Sequence, residues 1–231
     1  TQTLWARVTL DGKHSNVVKR TYTKVASASA WARLFETATA DTAQLRRQYG
    51  VRPWAHYTVD STDAAVSGGY LFVKGVWMTD ASRPPEMNWG GAGVEFGFDS
   101  DFSSYNMSKV DSIKIRYKSS STVSSINVFP GAASDTSRSG AALSWPLVPS
   151  TAAFRTVTLR PKDLAYPSWA QDLVADEDRR TWDGSKNPIA FAINLLRITI
   201  QPTSDQKGVP TAGATEVMID EIQIYGGITK N

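Results

Sequence analysis

Side chains that could form hydrogen bonds or stack on a ligand recur on the polar side of three alternating segments. In residues 93–98 the apolar Val94 and Phe96 share one parity, which leaves Glu95 on the other face. Residues 125–129 and 193–201 alternate in the same way. The outward side chains of the three segments combine a carboxylate, a guanidinium, two amides, a hydroxyl and an aromatic ring: Glu95, Asn127, Phe129, Arg197, Thr199 and Gln201. Such groups can hydrogen-bond hydroxyls and stack on a pyranose, although polar outward residues are also normal on antiparallel sheets.

Two tryptophans in loop-like sequence could add stacking platforms. Trp89 follows Pro85 and precedes Gly90, and Trp169 follows Pro167. A loop exposes an indole more readily than a strand does, so stacking and packing are both open for these two residues. Packing is the simpler role for the tryptophans near the N-terminus, in the predicted helix and in a predicted strand: Trp5, Trp31 and Trp77. Trp145 and Trp182 are intermediate.

The residues needed for common catalytic and metal sites are missing from the sequence. There is no Cys, and the two histidines, His14 and His56, do not have zinc-site spacing. No GxSxG nucleophile elbow occurs, and the glycines at 90–93 precede a predicted strand rather than a phosphate-binding helix. A glycosidase needs two facing carboxylates, and Glu95 has no evident partner. The sequence therefore favours a protein that is not an enzyme.

Charge and composition exclude other functional classes. The net charge is only +3, and the basic residues are scattered rather than arranged in a stripe interleaved with aromatics, so nucleic-acid binding is not predicted. No apolar run approaches the length of about 18 residues that a membrane span requires. Abundant Ser and Thr, eight Trp, and few Glu and Lys favour an exported protein, either secreted or in the cell envelope.

The apolar residues after Trp54 repeat with a period of two, which predicts strands separated by Gly, Ser, Asp and Pro clusters. Eight strands are predicted, at residues 70–78, 93–98, 112–118, 125–129, 143–147, 154–159, 193–201 and 216–225. The last one changes phase at Asp220-Glu221, as a strand with a bulge does. This pattern predicts an all-β fold, a β-sandwich jelly roll of two antiparallel sheets.

The N-terminal residues have a different pattern. Residues 3–10 and 16–22 could pair as strands, and residues 29–49 form the one helical candidate. Trp31, Leu34 and Phe35 would share a helix face, and Asp41 could cap a second helical piece that carries Leu45. We therefore expect one domain, with residues 1–53 added to a jelly-roll core at 54–227.

Several short motifs, in this order, resemble the family 11 carbohydrate-binding modules and their relatives. The motifs are GGAGVEFGF at 90–98, FSSY at 102–105, VDSIKIRYK at 110–118, FRTVTL at 154–159 with KDL at 162–164, and IDEIQI at 219–224. The resemblance covers roughly residues 54–227.

The resemblance implies a concave sheet that contains residues 93–98, 125–129 and 193–201 and holds a β-glucan chain. It puts Trp89 at the family's aromatic position and the loop at 166–169 at an Arg/Tyr-bearing position, although the Arg is missing here. It also implies a structural calcium ion held partly by Asp220, without the usual acidic partners near the N-terminus.

A jelly roll can also have a structural role that involves no sugar binding, so a second interpretation stays open. Structural subunits of bacterial cell-envelope or flagellar-sheath assemblies use related sandwiches. In that case the N-terminal segment would associate with a neighbour, and Trp5, Trp31 and Phe35 would form an exposed apolar interface.

Overall fold

The computed structural model describes residues 2–6, 9–10, 13–14, 18–22, 31–57, 59–77, 90–132, 143–171, 174–184, 186–202 and 213–231. Most of them lie in strands, and the α-helix among them is α1 (Thr42–Tyr49). The strands are β1 (Gln2–Ala6), β2 (Thr9–Leu10), β3 (Lys13–His14), β4 (Val18–Tyr22), β5 (Trp31–Leu34), β6 (Val51–Tyr57), β7 (Val59–Ser67), β8 (Tyr70–Trp77), β9 (Gly90–Gly97), β10 (Tyr105–Ser119), β11 (Val123–Ala132), β12 (Trp145–Leu147), β13 (Arg155–Leu159), β14 (Ile193–Pro202) and β15 (Gly213–Lys230). No helix in these ranges is long and apolar enough to cross a membrane.

Two antiparallel sheets form the body of the fold. The first sheet has the order β12–β11–β14–β9–β6. The second has the order β13–β10–β15–β8–β7, and β5 pairs with β15 beyond the end of β8. A single pairing of Tyr105 with Ile193 joins the two sheets at one corner. The predicted all-β jelly roll is confirmed, and each of the eight predicted strands corresponds to a strand in these sheets.

The core lies between the sheets and contains the apolar parity that the sequence predicts. Val94 and Phe96 of β9 and Ile198 of β14 are buried in it, as is Ile115 of the second sheet. Burying each large apolar side chain contributes about 1.5–3 kcal/mol. Because strand side chains alternate, this burial fixes which residues of β9, β11 and β14 point away from the core.

The closing strand β15 contains the predicted bulge. Arg116 pairs with Glu221 and Tyr117 pairs with Ile219, so Asp220 is the extra residue. The bulge restores the inward direction for the second half of the strand, and Ile219 and Ile222 are therefore both buried in the core.

The helix predicted at residues 29–49 is wrong for its first half. Trp31–Leu34 is strand β5, and Leu34 is 45% exposed rather than part of an apolar helix face. The physical reason is that β15 extends past β8, and β5 satisfies the free backbone groups of residues 221–224. The second half is confirmed as α1, where the Asp41 carboxylate accepts the Gln44 N–H and Gly50, at φ 63°, ends the helix.

The N-terminal region contributes to the sandwich directly. Phe35 and Leu45 are buried in the core, and Val51 begins β6 at the edge of the first sheet. The division predicted between residues 53 and 54 therefore falls inside a strand. Nearer the N-terminus, β1 pairs with β4 in the predicted antiparallel manner.

The apolar interface predicted from Trp5, Trp31 and Phe35 is wrong for two of its three members. Phe35 is in the core, and Trp31 packs edge-on against Phe98 while its indole N–H donates to the Phe98 carbonyl. The side chain of Trp5 lies outside the described residues.

Candidate functional site

The first sheet aligns the predicted site residues of three strands in adjacent positions. Phe129 of β11 pairs with Arg197 of β14, which pairs with Glu95 of β9. Arg52 of the edge strand β6 continues the row beyond Glu95. We call the outward side of this sheet the Arg197 face, defined by Arg52, Trp54, Glu95, Phe102, Ser125, Asn127, Phe129, Arg197, Thr199 and Gln201.

Glu95 is the buried centre of an ionic triad. Its Oε1 accepts from Nε and Nη2 of Arg197 at 3.0 and 2.6 Å, and its Oε2 accepts from Nε of Arg52 at 2.6 Å. The residue is only 4% exposed, whereas the side chains of Arg52 and Arg197 are 49% and 37% exposed. The sequence predicts direct hydroxyl binding by Glu95, but these contacts use both carboxylate oxygens to hold the arginines.

The next row has a tryptophan lying over glycines. Trp54 pairs with Gly93, and Gly93 pairs with Thr199 of β14. A Cβ added at Gly91 would lie 3.2 Å from the Trp54 ring, so the indole rests directly on the backbone of β9. Trp54 is half-buried, and the Arg197 guanidinium lies 5.1 Å from its ring centroid. This geometry fixes the indole beside the ionic triad.

Polar groups continue this surface across β11 and β14. Asn127 pairs with Thr199, and Ser125 pairs with Gln201. The Ser125 hydroxyl donates to the amide oxygen of Gln201 at 2.7 Å, which leaves the amide N–H groups of Gln201 directed elsewhere. Thr199 is 7% exposed, and its hydroxyl has no partner among the described residues. Asn127 and Gln201, both half-buried, are the amides available to a ligand.

Phe102 adds an aromatic ring next to Arg52. It has a positive φ of 57°, which is unusual for a bulky side chain. A Cβ added at Gly97 would lie 3.1 Å from the Phe102 ring, so the ring covers that glycine. The Arg52 guanidinium lies 4.8 Å from the ring centroid. Backbone strain at such a position is often found at binding sites.

Asp99 holds the turn that carries Phe102. Its Oδ1 accepts the backbone N–H groups of Asp101 and Ser103, and its Oδ2 accepts from the Tyr105 hydroxyl and the Lys230 ammonium. Burial raises the pKa of Asp99, but the hydrogen bonds from Lys230, Ser103 and Tyr105 outweigh it and hold that pKa well below its usual range. The carboxylate is therefore ionised at neutral pH and fixes the turn.

The structure brings together six of the eight predicted carbohydrate-binding residues: Glu95, Asn127, Phe129, Arg197, Thr199 and Gln201. Trp89 and the side chain of Trp169 lie outside the described residues. Sequence reasoning missed Arg52, Trp54 and Phe102. The alternation Val51, Arg52, Pro53, Trp54 would have pointed to the first two as a strand with a polar face. No sequence pattern signals that Phe102 folds back over β9.

Asp220, the predicted calcium ligand, lies on the outer side of the second sheet. Its carboxylate forms an ion pair with Arg116, whose guanidinium also lies 4.9 Å from the Phe154 ring centroid. No group of three His, Cys, Asp or Glu that could hold a metal occurs in the described ranges. A calcium site at Asp220 does not fit these contacts, because a neighbouring guanidinium repels the ion.

A cavity of about 300 Å³ lies at the ends of β10 and β15, away from the Arg197 face. It is lined by Lys118, Ser119, Ser120, Ser121, Thr151, Glu216 and Met218. It has no aromatic ring to stack on a sugar, so we place the candidate site on the Arg197 face.

No family model and no curated protein matches this chain in sequence. Among solved structures, it is similar to the family 11 carbohydrate-binding module of the cellulosomal cellulase Lic26A-Cel5E of Clostridium thermocellum, at 13% identity over 77% of this chain and 88% of that one, with a TM-score of 0.46. A family 11 module of the same organism in complex with a β-1,3-1,4-mixed-linked tetrasaccharide matches at 11% identity, 88% and 92% coverage and a TM-score of 0.40. A CBM4 structure matches at 14% identity, 85% and 96% coverage and a TM-score of 0.36. The structural neighbours therefore include carbohydrate-binding modules of families 11 and 4.

Proposed function

We propose that this chain is a non-catalytic carbohydrate-binding module that binds a β-glucan or related polysaccharide on the Arg197 face. The observation that carries the proposal is the row of aromatic and planar polar groups on one sheet. Trp54 and Phe129 offer rings on the sheet, Phe102 offers one beside Arg52, and Arg197 and Asn127 offer hydrogen-bond donors. Sugar recognition needs this combination on a rigid support.

The dimensions of the face suit an extended oligosaccharide. The row from Phe129 to Arg52 crosses four strands, which at a strand spacing of about 4.8 Å extends for about 14 Å. A glycan chain lying across the strands would meet Phe129 at one end and Arg52 at the other. Asn127 and Gln201 would bind hydroxyls, and Glu95 and Thr199 would support the row from beneath.

The absence of a usable carboxylate pair supports a non-catalytic role. Glu95 is the one carboxylate among the residues that define the Arg197 face, and both its oxygens accept from guanidiniums. A glycosidase needs one carboxyl group as acid and a second as base or nucleophile. We therefore expect binding without cleavage.

Trp89 and Trp169 remain part of the proposal as stacking residues contributed by loops. Trp169 lies in the short 3-10 helix Ser168–Ala170. A secreted or cell-envelope location, also proposed, would give such a face access to polysaccharides.

Affinity electrophoresis against soluble mixed-linkage glucan, xylan, mannan and acidic polysaccharides tests the proposal. We expect at least one polysaccharide to slow the migration of the wild-type chain. The same polysaccharide should slow the Trp54→Ala variant less. Tyr70→Ala is the matched control, because Tyr70 stacks on Phe154 at the second sheet, away from the Arg197 face. Retardation by none of the polysaccharides contradicts the proposal, and release of reducing sugar contradicts its non-catalytic part.

The assembly alternative has less support. Two of the three residues of its interface, Trp31 and Phe35, pack within the chain. Light scattering over a concentration series is the matching test. A strict monomer that binds polysaccharide contradicts assembly, and an oligomer indifferent to every glycan supports it.

A further inference from the structure

The Arg197 face carries more positive than negative charge. Arg52 and Arg197 lie on either side of Glu95, the single carboxylate of the triad. At the adjoining turn, the Arg46 side chain donates to the Ser100 carbonyl, and its guanidinium lies 5.6 Å from the Phe102 ring centroid. In the triad, two guanidiniums share one carboxylate, which leaves one net positive charge.

The unmatched charge lies on the outer side of the triad. Glu95 is buried and uses Nε of both arginines, together with Nη2 of each. Nη1 of Arg52 and Nη1 of Arg197 have no hydrogen-bond partner among the described residues. Each guanidinium thus keeps donors for an acceptor that approaches from outside, and a planar fork of donors matches a carboxylate.

Both arginines are held in place before any ligand arrives. The Arg52 guanidinium lies over the Phe102 ring, and the Arg197 guanidinium lies over the Trp54 ring. Glu95 binds Nε and Nη2 of each guanidinium and fixes its orientation. Holding a side chain in its bound geometry reduces the entropy lost on binding. Two ordered guanidiniums around one buried carboxylate have a net positive charge. An anionic ligand would neutralise this charge, whereas a neutral hydroxyl would not.

We infer that the preferred ligand of the Arg197 face is an acidic polysaccharide that contains uronic acid residues, an inference that rests on the proposed function. The carboxylate of a uronosyl residue accepts from the outer N–H groups of Arg197, with Arg52 adding charge two strands away. The neighbouring sugar rings contact Trp54 and Phe129. Glu95 is a positioning residue that orients the guanidiniums and does not contact the sugar.

The experiment compares a neutral glucan with the same glucan oxidised at C6, so that the backbone is constant and only the carboxylate is added. Isothermal titration calorimetry at two ionic strengths measures both affinities for the wild-type chain. We expect the oxidised glucan to bind about tenfold more tightly at low salt. The preference should disappear in Arg197→Gln and persist in Arg116→Gln. Arg116 is the matched control, because it also combines an ion pair with an aromatic contact but lies on the second sheet.

The outcomes separate this inference from the proposed function. Equal affinity for the two glucans, or a preference for the neutral one, overturns the uronate assignment and leaves carbohydrate binding intact. Loss of the preference in Arg116→Gln as well shows that net charge alone is responsible, and also overturns it. A sulfated glucan that binds as tightly as the carboxylated one overturns carboxylate recognition. Binding of none of them contradicts the proposed function itself. If Arg197→Gln does not fold, Arg52→Gln on the edge strand replaces it.

Discussion

The two sheets present arginine on their outer sides in different ways. On the second sheet, Arg116 pairs with Asp220, so one cation meets one anion. On the first sheet, Arg52 and Arg197 share Glu95, so two cations meet one anion. The first arrangement has no net charge. The second has one net positive charge, which supports the proposed site on the first sheet beside the aromatic rings.

The supporting strands differ as well. On β9 the outward positions beside Glu95 are Gly91, Gly93 and Gly97, and the rings of Trp54 and Phe102 lie on this glycine surface. On β10 the outward positions carry the long side chains Lys114, Arg116 and Lys118. A strand without side chains lets aromatic rings lie flat against the sheet, whereas a strand of long cations presents an ordinary solvated surface.

The largest effect is expected from adding a Cβ where β9 approaches the backbone of β14 most closely. A Cβ at Gly93 would lie 1.9 Å from the Ile198 carbonyl oxygen, which the backbone of the paired strand cannot avoid. We expect Gly93→Ala to destabilise the chain by about 3 kcal/mol or more in urea unfolding. Gly131→Ala is the control, because its Cβ would meet the movable Leu195 side chain at 2.6 Å. Equal losses in the two variants would contradict a special role for the glycines of β9.

The next largest effect is the loss of stability on neutralising Glu95, which we compare with the loss on neutralising Asp220. Glu95→Gln leaves two neighbouring guanidiniums without a charge partner, and we expect a loss of about 2 kcal/mol, reduced from the buried-pair value because both arginines are partly exposed. Asp220→Asn should cost less than about 1 kcal/mol, since Arg116 is partly exposed too and loses a single partner. Urea unfolding of both variants measures the difference. A larger loss for Asp220→Asn would reverse our ranking of the two ionic clusters.

A smaller effect is expected on affinity. Phe129 is half-buried on the Arg197 face, and Phe154 stacks on Tyr70 at the second sheet. Removing a stacking ring should weaken polysaccharide binding about tenfold in Phe129→Ala, measured by titration calorimetry. Phe154→Ala should keep wild-type affinity. The reverse pattern would move the site to the second sheet.

The smallest effect concerns pH. The pKa of Asp99 in the folded chain lies below its ordinary value, so its ionised form stabilises the fold above about pH 4, and this contribution is lost as the pH falls further. We expect Asp99→Asn to be about 1 kcal/mol less stable at pH 7, with the difference shrinking below about pH 4. Asp101→Asn, at the exposed neighbour, is the control. A difference that grows on acidification would contradict the role of the Asp99 carboxylate.

The sequence predicts the parity of the central strands well because an antiparallel sheet repeats its environment every two residues. Val94, Ile198 and Ile126 are buried as predicted, and the outward residues of β9, β11 and β14 follow from them. The bulge at Asp220 was also readable, because the apolar phase changes there.

The parts that sequence reasoning missed depend on contacts between distant segments. Residues 31–34 fit a helical period, but the unpaired edge of β15 makes them a strand. The pairing of Glu95 with two arginines requires β6 and β14 to flank β9, which no local pattern specifies. The position of Phe102 over Gly97 comes from a turn held by Asp99. Contacts between distant segments therefore determine the environment of the site, whereas the local alternation of apolar residues determines its strands.

The most direct test of the central claim is an NMR titration of the isotope-labelled chain with an oligosaccharide of the best-retained polysaccharide. We predict that the shifted amide and indole signals cluster at the outward residues of β6, β9, β11 and β14, with the Trp54 indole and the Arg197 guanidinium among them. Signals of Arg116, Tyr70 and Phe154 should stay unchanged. Shifts that cluster on the outer side of β10 and β15 instead, with the Arg197 face unaffected, would contradict the account.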